Sequence, residues 1–392
     1  MPPVKEKPGR RPAAGAARRY RVGTLEKGLT VLEVLVSEAR PLTIKELAER
    51  TGIERTAVFR LLSTLEERRY VTRFADKRYS CTPWHRRIVL AYLAPLSGHT
   101  LRTSLLESVA RAASRPHIEL LTLDNEVDDA AAAERNAERA IETGAAAVVV
   151  YQPEAAIAHA IAHRLAAAGV PLISVCTPVE GVVYFGPDNY RSGKLAGEVL
   201  ARYAVSHWAG RADHLVILEP AQQSGESQSR IAGVRFGFNH AHGRAGAVQL
   251  LHTQRRHYVE ESRDLIAGLL GGIPRQDTVA LSCFTDPTAI GAVQAVRAAG
   301  RDAQVAIVSQ SGSGEGRAEL CGAGTRLIAS IGYFPERWGE RLVELAFSMI
   351  NRHPVPPAVN VESVVLTRDN VARYYPAPRD LPELAQSRTA GR

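Results

Sequence analysis

The sequence is short of aromatic residues (6%), holds only 4 cysteines and 2 methionines in 392 residues, and has no apolar run near the length of a membrane span. Each shortage excludes something. Cys81, Cys176, Cys283 and Cys321 lie far apart and never form a C-x-x-C pair, which argues against both a zinc site and a disulfide framework. Roughly 18 consecutive apolar residues are needed to cross a bilayer, so no membrane partner is expected. The first twenty residues are basic and rich in Pro, Ala and Gly, without the apolar stretch of a secretory signal, and a cytoplasmic location is expected from that. There is no G-x-x-x-x-G-K-[ST] phosphate loop, G-x-S-x-G elbow or H-E-x-x-H, and Ser311-Gly312-Ser313-Gly314-Glu315-Gly316 lacks the third-glycine spacing of a dinucleotide fingerprint. His159 and His163 stand at i, i+4 on an Ala-rich stretch with no third ligand nearby, so they read as surface or packing residues. The expectation is a protein that is not an enzyme and takes no cofactor and no metal.

What is present is an uneven charge. Up to Arg86 there are 19 Lys+Arg against 10 Asp+Glu, whereas the remaining 306 residues carry 30 against 31. All of the basic excess sits in the first fifth, which suggests a polyanion partner for that part and a neutral body with another task.

Residues 1–22 read as a disordered basic arm, because Pro and Gly are frequent and apolar periodicity is absent. Leu25, Leu29, Leu32 and Val36 then mark one face of a helix that Pro41 stops. Thr43 and Glu46 have capping-box spacing at the start of a second helix, which Gly52 ends. A third helix is predicted from about Glu54 to Arg68, with Val58, Leu61, Leu62 and Leu65 inward and Arg55, Thr56, Ala57 and Arg60 on its outer, N-terminal part. Two short helices joined by a tight Gly-containing turn make a helix-turn-helix, whose second helix enters the major groove by its first turns. Two short alternating segments around Ala75-Asp76-Lys77 add a hairpin wing carrying Arg73, Lys77 and Arg78.

The runs TLEKGLTVLEVL and PLTIKELAERTGIERTAVFRLLSTLEERRYV resemble the winged helix-turn-helix of IclR-type transcriptional regulators, over about 60 residues. The resemblance implies that Arg55, Thr56 and Arg60 approach bases or adjacent phosphates of double-stranded operator DNA while the wing cations hold the backbone. The sequence departs from the family at Arg69, where a small residue usually ends the recognition helix.

From Arg87 the pattern changes to short apolar runs, among them Ala146-Tyr151, Val170-Val175, Val279-Ser282 and Val305-Ser309, alternating with Ala-, Glu- and Arg-rich helical stretches. Strands continuous in Val, Ile and Leu are buried on both faces, so the body reads as α/β with parallel sheets and helical crossovers, and its size suggests two lobes.

The segment from LLTLDNEVDD to VPLISV, with FGPDNYRSGKLAGEVL, SRIAGVRFGF, FTDPTAIGAVQAVRAAG and IGYFPERWGERLVEL following in order, is similar to type I periplasmic sugar-binding proteins, the ligand module also used by LacI-type regulators. The resemblance implies a two-lobed type I periplasmic-binding-protein fold over 86–376 behind a winged helix-turn-helix at 23–85, with a tail at 377–392. Lobe 1 would span about 86–186 and 334–356, and lobe 2 about 187–333 and 357–376. The chain would cross near Gly186-Pro187, Tyr333-Phe334 and Pro356-Asn360, leaving a small molecule in the cleft at the carboxyl ends of the strands.

By the same resemblance the ligand contacts fall on His99 with its neighbours Leu101 and Arg102, Gln152, Cys176, Thr177, Arg230, Thr285, Asp286, Ser311 and Tyr333, and Tyr258 lies where the family supplies a ring. Cys176 and Ser311 replace two acidic groups that usually accept from sugar hydroxyls. Arg230, with few nearby acids, leaves open an anionic ligand such as a sugar acid or sugar phosphate beside the neutral carbohydrate reading. The whole is read as a metabolite-responsive transcriptional regulator that works as a homodimer or dimer of dimers. The alternatives are an α/β enzyme acting on a small polar metabolite, and a DNA-binding protein whose body only dimerises.

Overall fold

A computed structural model describes residues 22–38, 40–74, 76–81, 88–96, 100–115, 118–220, 225–241, 243–253 and 259–376. They form two compact units: a head that runs to Ile88 and takes in Arg115–Ile118, and a body comprising Val89–Ser114 and the chain from Glu119 onward. The expected arm and tail lie outside the described residues, apart from Val22.

The head contains α1 (Gly23–Ser37), α2 (Ile44–Thr51), α3 (Arg55–Glu67) and the antiparallel strands β1 (Val71–Arg73) and β2 (Tyr79–Cys81). Its core gathers Val31, Leu32 and Leu35 with Leu47, Val58, Leu62 and Tyr79. The buried face of α1 is therefore not the predicted one. Leu32 is buried, but Leu25, Leu29 and Val36 are exposed, because both sides of this helix are apolar and the small core takes the Val31–Leu35 side. The capping box forms as read: Thr43 donates its N–H to Glu46 Oε2 (2.8 Å), and the Glu46 N–H donates to Thr43 Oγ1 (3.2 Å). Gly52 closes α2 at φ 68°, the left-handed region that a glycine reaches without steric cost.

Helix α3 ends in a tight stop even with Arg69 at the position where the sequence departs. Arg69 adopts φ 61°, its N–H donates to Glu66 O, and Tyr70 N–H donates to Leu65 O, the bond pair of a Schellman stop. An arginine holds a conformation that favours glycine, at a cost of about 1 kcal/mol.

The body starts with β3 (Ile88–Ala94), α4 (Thr100–Ala113), β4 (Ile118–Asp124), α5 (Ala130–Glu142), β5 (Ala147–Val150), α6 (Ala155–Ala167), β6 (Leu172–Val175) and β7 (Val183–Pro187). It continues with α7 (Asn189–His207), β8 (Arg211–Pro220), α8 (Gly225–His240), β9 (Arg244–Thr253), α9 (Val259–Gly272), β10 (Val279–Cys283), α10 (Asp286–Ala299), β11 (Val305–Ser311), α11 (Gly314–Cys321) and β12 (Leu327–Gly332). After a 3₁₀ turn at Pro335–Arg337 come α12 (Gly339–Ile350), β13 (Ala358–Val361), β14 (Val364–Leu366) and α13 (Val371–Tyr374).

Two six-stranded sheets result, β13-β7-β6-β5-β3-β4 in the first lobe and β14-β12-β11-β10-β8-β9 in the second. β5, β10 and β11 are buried along their whole length, as continuous apolar strands covered on both faces must be. Only β14 of the second sheet runs antiparallel to its neighbour. The third crossing differs from the expected boundary. β13 pairs with β7, Val359 beside Phe185, so residues 358–361 belong to lobe 1 and the chain crosses at Glu362-Ser363.

Candidate ligand cleft and DNA-binding face

In both sheets the chain leaves the parallel strands at their carboxyl ends, where backbone carbonyls and loop side chains converge. A cavity of about 140 Å³ opens there between the lobes. Tyr151, Pro153, Cys176 and Thr177 line it from lobe 1, and Asn189, Ser227, Arg230, Phe284, Thr285 and Ser311 from lobe 2, with Tyr333 on the crossing segment. Backbone geometry is unusual at this rim: Cys176 sits at φ 62°, Ser311 at φ 104° and Phe334 at φ 57°. Non-glycine residues in that region cost about 1–3 kcal/mol each and cluster at ligand sites.

Arg230 dominates the lobe 2 wall. Its Nη2 and Nε donate to Asn189 Oδ1 (2.6 and 3.2 Å), and Nη1 lies 3.5 Å from Glu219 Oε2. Glu219 ends β8 at 1% exposure and also accepts from Ser227 Oγ (3.0 Å). Burial pushes its carboxyl upward in pKa, against the pull of Arg230 and Ser227. The expectation of few acids near Arg230 is thus corrected: a buried carboxylate stands behind it. The helix that carries Arg230 is seated by absent side chains. A Cβ on Gly193 or Gly197 of α7 would strike the backbone of α8 at Arg230 or Val234, so the two helices approach backbone to backbone.

The predicted ligand residues divide. Thr177, Arg230, Thr285, Ser311 and Tyr333 line the cavity, as do Leu101 and Cys176. Gln152 and Asp286 are both fully buried and do not line it. Gln152 accepts from Glu154 N–H through Oε1 (3.2 Å), donates through Nε2 to Glu126 O (3.3 Å), and takes the Thr177 hydroxyl on its own carbonyl (2.7 Å), so it braces the loop after β5. Asp286 faces a serine cluster: Ser309 Oγ, Ser330 Oγ (2.6 Å), Ser311 Oγ (3.0 Å) and the Ser313 N–H (2.5 Å) all donate to its carboxylate. It fixes the ends of β11 and β12 instead of projecting into the opening. His99 and Tyr258 lie outside the described residues.

Tyr333 donates its hydroxyl to Gln310 and accepts Trp338 Nε1–H on its carbonyl (2.8 Å), and burial pushes its phenol up to about 12. On the lobe 1 side the Tyr92 hydroxyl is buried with no hydrogen-bond partner among the described residues, within electrostatic reach of Tyr151 and Cys176. The sequence reading missed Asn189 and Glu219. Asn189 was legible as the residue after Asp188 at the first crossing, whereas Glu219 follows the apolar run of β8 and is brought to Arg230 only by the fold, β8 running on to Pro220.

On the head, Arg55, Thr56 and Arg60 are exposed on α3, and Ala57 is half-buried. Phe59 shares their face at 48% exposure and was missed, because an aromatic in an apolar stretch reads as core. Thr56 Oγ1 donates to Glu54 (2.6 Å). Arg73, Lys77 and Arg78 are exposed on the wing, Arg78 paired with Asp76 (3.3 Å). Among the described residues no group of His, Cys, Asp and Glu is arranged to hold a metal, and no helix is long and apolar enough to cross a membrane.

Two lobes of parallel sheet joined by three crossings, with a polar cleft at the strand ends, define a ligand-binding clamshell, and the basic three-helix head with its wing defines a DNA-binding module. The chain belongs to the periplasmic binding protein domain family, whose model matches residues 90–353, and residues 24–73 match the IclR helix-turn-helix domain. Neither family is a catalytic one. A curated relative is the D-ribose/D-allose-binding protein of Pseudomonas aeruginosa, 27% identical over 218 residues, which are 52% of this chain and 64% of that protein. The match therefore spans slightly less than two thirds of the relative's length. Solved structures of similar fold include a periplasmic solute-binding protein from Actinobacillus succinogenes with bound D-allose (TM-score 0.64, 19% identity, covering 73% of this chain and 100% of that one). Another is a solute-binding protein from Bacillus halodurans with bound myo-inositol (TM-score 0.64, 18% identity, 74% and 97%).

Proposed function

We propose that this chain is a ligand-responsive DNA-binding regulator whose cleft takes an uncharged sugar or polyol and whose occupancy alters operator binding. One observation carries the reading: a single chain joins an IclR-type head with an exposed Arg55, Thr56 and Arg60 face to a two-lobed body with a cleft at its strand ends. Phosphate neutralisation supplies most of the DNA affinity, and the outer face of α3 supplies sequence choice.

The neutral character of the effector follows from Arg230. Among the described lining residues it is the one with a formal charge, and Glu219 already balances it from behind. A carboxylate or phosphate on the ligand would meet a guanidinium with two donors committed to Asn189 and its Nη1 facing Glu219. Ligand hydroxyls, in contrast, find both acceptors and donors in Asn189, Ser227, Thr285 and Ser311. The cavity is also small beside the roughly 300–1,000 Å³ of drug-sized sites, which suits one sugar ring. The ligands named for the relatives, ribose, allose and inositol, are of this kind.

The switch works through the crossings. A ligand touching both lobes favours the closed body only by its differential affinity for that form, and closure resets the spacing of two heads in a dimer. Dimeric recognition places the two α3 helices about 34 Å apart on a near-palindromic site. The exposed apolar residues Val22, Leu25, Leu29 and Val36 on or beside α1 support a second copy of the chain as partner.

Two experiments test the reading. Calorimetric titration of the full chain with D-ribose, D-allose and myo-inositol is expected to give saturable binding, with ribose 5-phosphate at least tenfold weaker; tighter binding of the phosphate sinks the neutral assignment. Selection of bound duplexes from a random DNA pool, followed by anisotropy with and without the bound sugar, is expected to show a preferred site whose affinity changes on saturation. An unchanged affinity removes the regulatory reading and leaves a body that only dimerises.

A further inference from the structure

A second cavity, of about 300 Å³, lies against the crossing segments and is built wholly from described residues. It shares Tyr333 with the ligand cleft and none of the cleft's other lining residues. Its inner wall is aromatic: Phe185 and Trp338 meet edge to face with centroids 5.6 Å apart, and Phe334, whose ring stacks on Tyr375, also lines it. Phe185, Trp338 and Phe334 are almost completely buried. Val359 and Val361 of β13 add an apolar side, and the rim is polar, with Arg337, Arg341, Asn360 and Glu362.

The charges at that rim point to a ligand of one sign. Arg337, on the 3₁₀ turn, and Arg341, near the start of α12, both line the opening, with Glu362 the lining carboxylate among the described residues and Glu336 lying 3.8 Å from Arg337 outside it. Arg337 is already oriented: its guanidinium lies 4.4 Å from the Phe334 ring centroid and Nη2 donates to Tyr374 O (3.3 Å). Arg341 is more than half exposed and is held only by a surface contact to Glu344 (3.4 Å), a pairing that contributes little and yields to a better-placed anion. Aromatic walls accept a flat ring by edge or face contact, and guanidinium forks match a carboxylate bidentately.

We propose that this hinge cavity is a second binding site, for a small aromatic monocarboxylate, distinct from the sugar cleft. The ring enters between Trp338, Phe185 and the valines of β13, and the carboxylate stays at the rim with Arg341 and Arg337. Because the site is lined by the Tyr333–Trp338 crossing and by Glu362 at the third crossing, its occupant touches the segments that move when the lobes hinge. Tyr333 transmits the effect, since it faces the cleft, bonds Gln310 of β11 through its hydroxyl and accepts from Trp338 through its carbonyl. Coupling of this kind is reciprocal: whatever factor the aromatic acid applies to cleft affinity, the cleft ligand applies to the acid.

The probe is benzoate, with benzamide as its uncharged isostere, titrated into the full chain by calorimetry. Saturable benzoate binding is expected, with benzamide at least tenfold weaker. Val361→Trp, which fills the cavity, abolishes it; Arg341→Ala, at an exposed position that does not bear on folding, weakens it at least fivefold; Glu362→Gln, which removes the opposing carboxylate, strengthens it. Circular dichroism and the melting temperature establish that Val361→Trp is folded, and if it is not, the Arg341 and Glu362 variants decide alone. Failure of benzoate to saturate, equal binding of benzamide, or affinity unchanged in Arg341→Ala and Glu362→Gln overturns the proposal. None of these outcomes depends on whether the cleft takes a sugar.

Discussion

The two lobes share one architecture and differ in what they bury. Among the described residues, the polar side chains buried in lobe 1 are all neutral: Ser108, Asn125, Gln152, Ser174 and Thr177. Lobe 2 buries Glu219, Asp286 and Arg301 along with a set of serines and threonines. Arg301 is held by three carbonyl oxygens, those of Leu270, Pro274 and Asp277 (2.8–3.1 Å), and so closes the C-terminal end of α9. Lobe 1 therefore builds its side of the cleft from hydrogen bonds that any one partner can lose cheaply. Lobe 2 uses charges in a low dielectric, where a lost partner leaves an uncompensated ion.

The largest test of this contrast is a pair of truncations. Asp286→Ala leaves three serine hydroxyls and one backbone N–H without their shared acceptor and is expected to cost about 3 kcal/mol, lowering the melting temperature by roughly 10 °C. Gln152→Ala, equally buried but neutral, is expected to cost about 1–2 kcal/mol. Thermal unfolding followed by circular dichroism reads both; equal losses erase the distinction between the lobes.

The head offers a functional version of the same comparison. Arg55 and Arg60 are exposed on α3, where truncation of a surface side chain bears little on stability. Arg60→Ala is expected to weaken operator binding by about 1–3 kcal/mol and relax sequence preference if Arg60 reads a base, with the melting temperature unchanged. A change confined to the salt dependence assigns Arg60 to a phosphate. In lobe 2 the corresponding charge change is Glu219→Gln. The folded-state pKa of Glu219 is raised, so its contribution to stability is complete below the unfolded-state value near 4.5 and is lost as pH rises through the folded value. Glu219→Gln should flatten the fall of stability with rising pH, by at most about 1.4 kcal/mol per pH unit within that window. Chemical denaturation at a series of pH values checks it.

Much of this was legible in the sequence, and what was not has identifiable causes. The helix-turn-helix could be read because the Thr43/Glu46 cap, Gly52 and the α3 periodicity are local signals that agree with one another. The central strands could be read because continuous burial leaves an apolar run. β7, β13 and β14 were missed as strands: β13 and β14 are short, lie at the sheet edges and are only partly buried, while β7 is buried but its apolar run breaks off in Gly186-Pro187. The face of α1 was misread because both of its sides are apolar and only the packing chooses between them. At the cleft, the resemblance identified which loops converge, but Gln152 and Asp286 turn inward to hold those loops. Which way a polar side chain turns depends on where Glu126 and Ser309 lie in space, and spacing along the chain does not encode that.

The smallest expected effect carries the comparison to the opposite sign of pH dependence. Glu46 has its pKa held down to about 2, first by the Thr43 N–H, then by the Thr43 hydroxyl and by Arg40 at 2.8 Å. Its folded-state value lies below the unfolded one, so its contribution is present above about 4.5 and is lost as pH falls toward 2. Falling pH thus loosens the start of α2 in the head, while rising pH works against Glu219 in lobe 2. The Thr43 amide resonance reports the bond directly and is expected to titrate with a midpoint near 2. In Glu46→Gln, which keeps an amide oxygen for the cap but no charge, that titration should vanish and the helix should survive acid with less change. A Thr43 midpoint near 4.5 instead would mean that the cap does not hold the carboxylate in solution, and the opposition in sign between head and lobe 2 would fail with it.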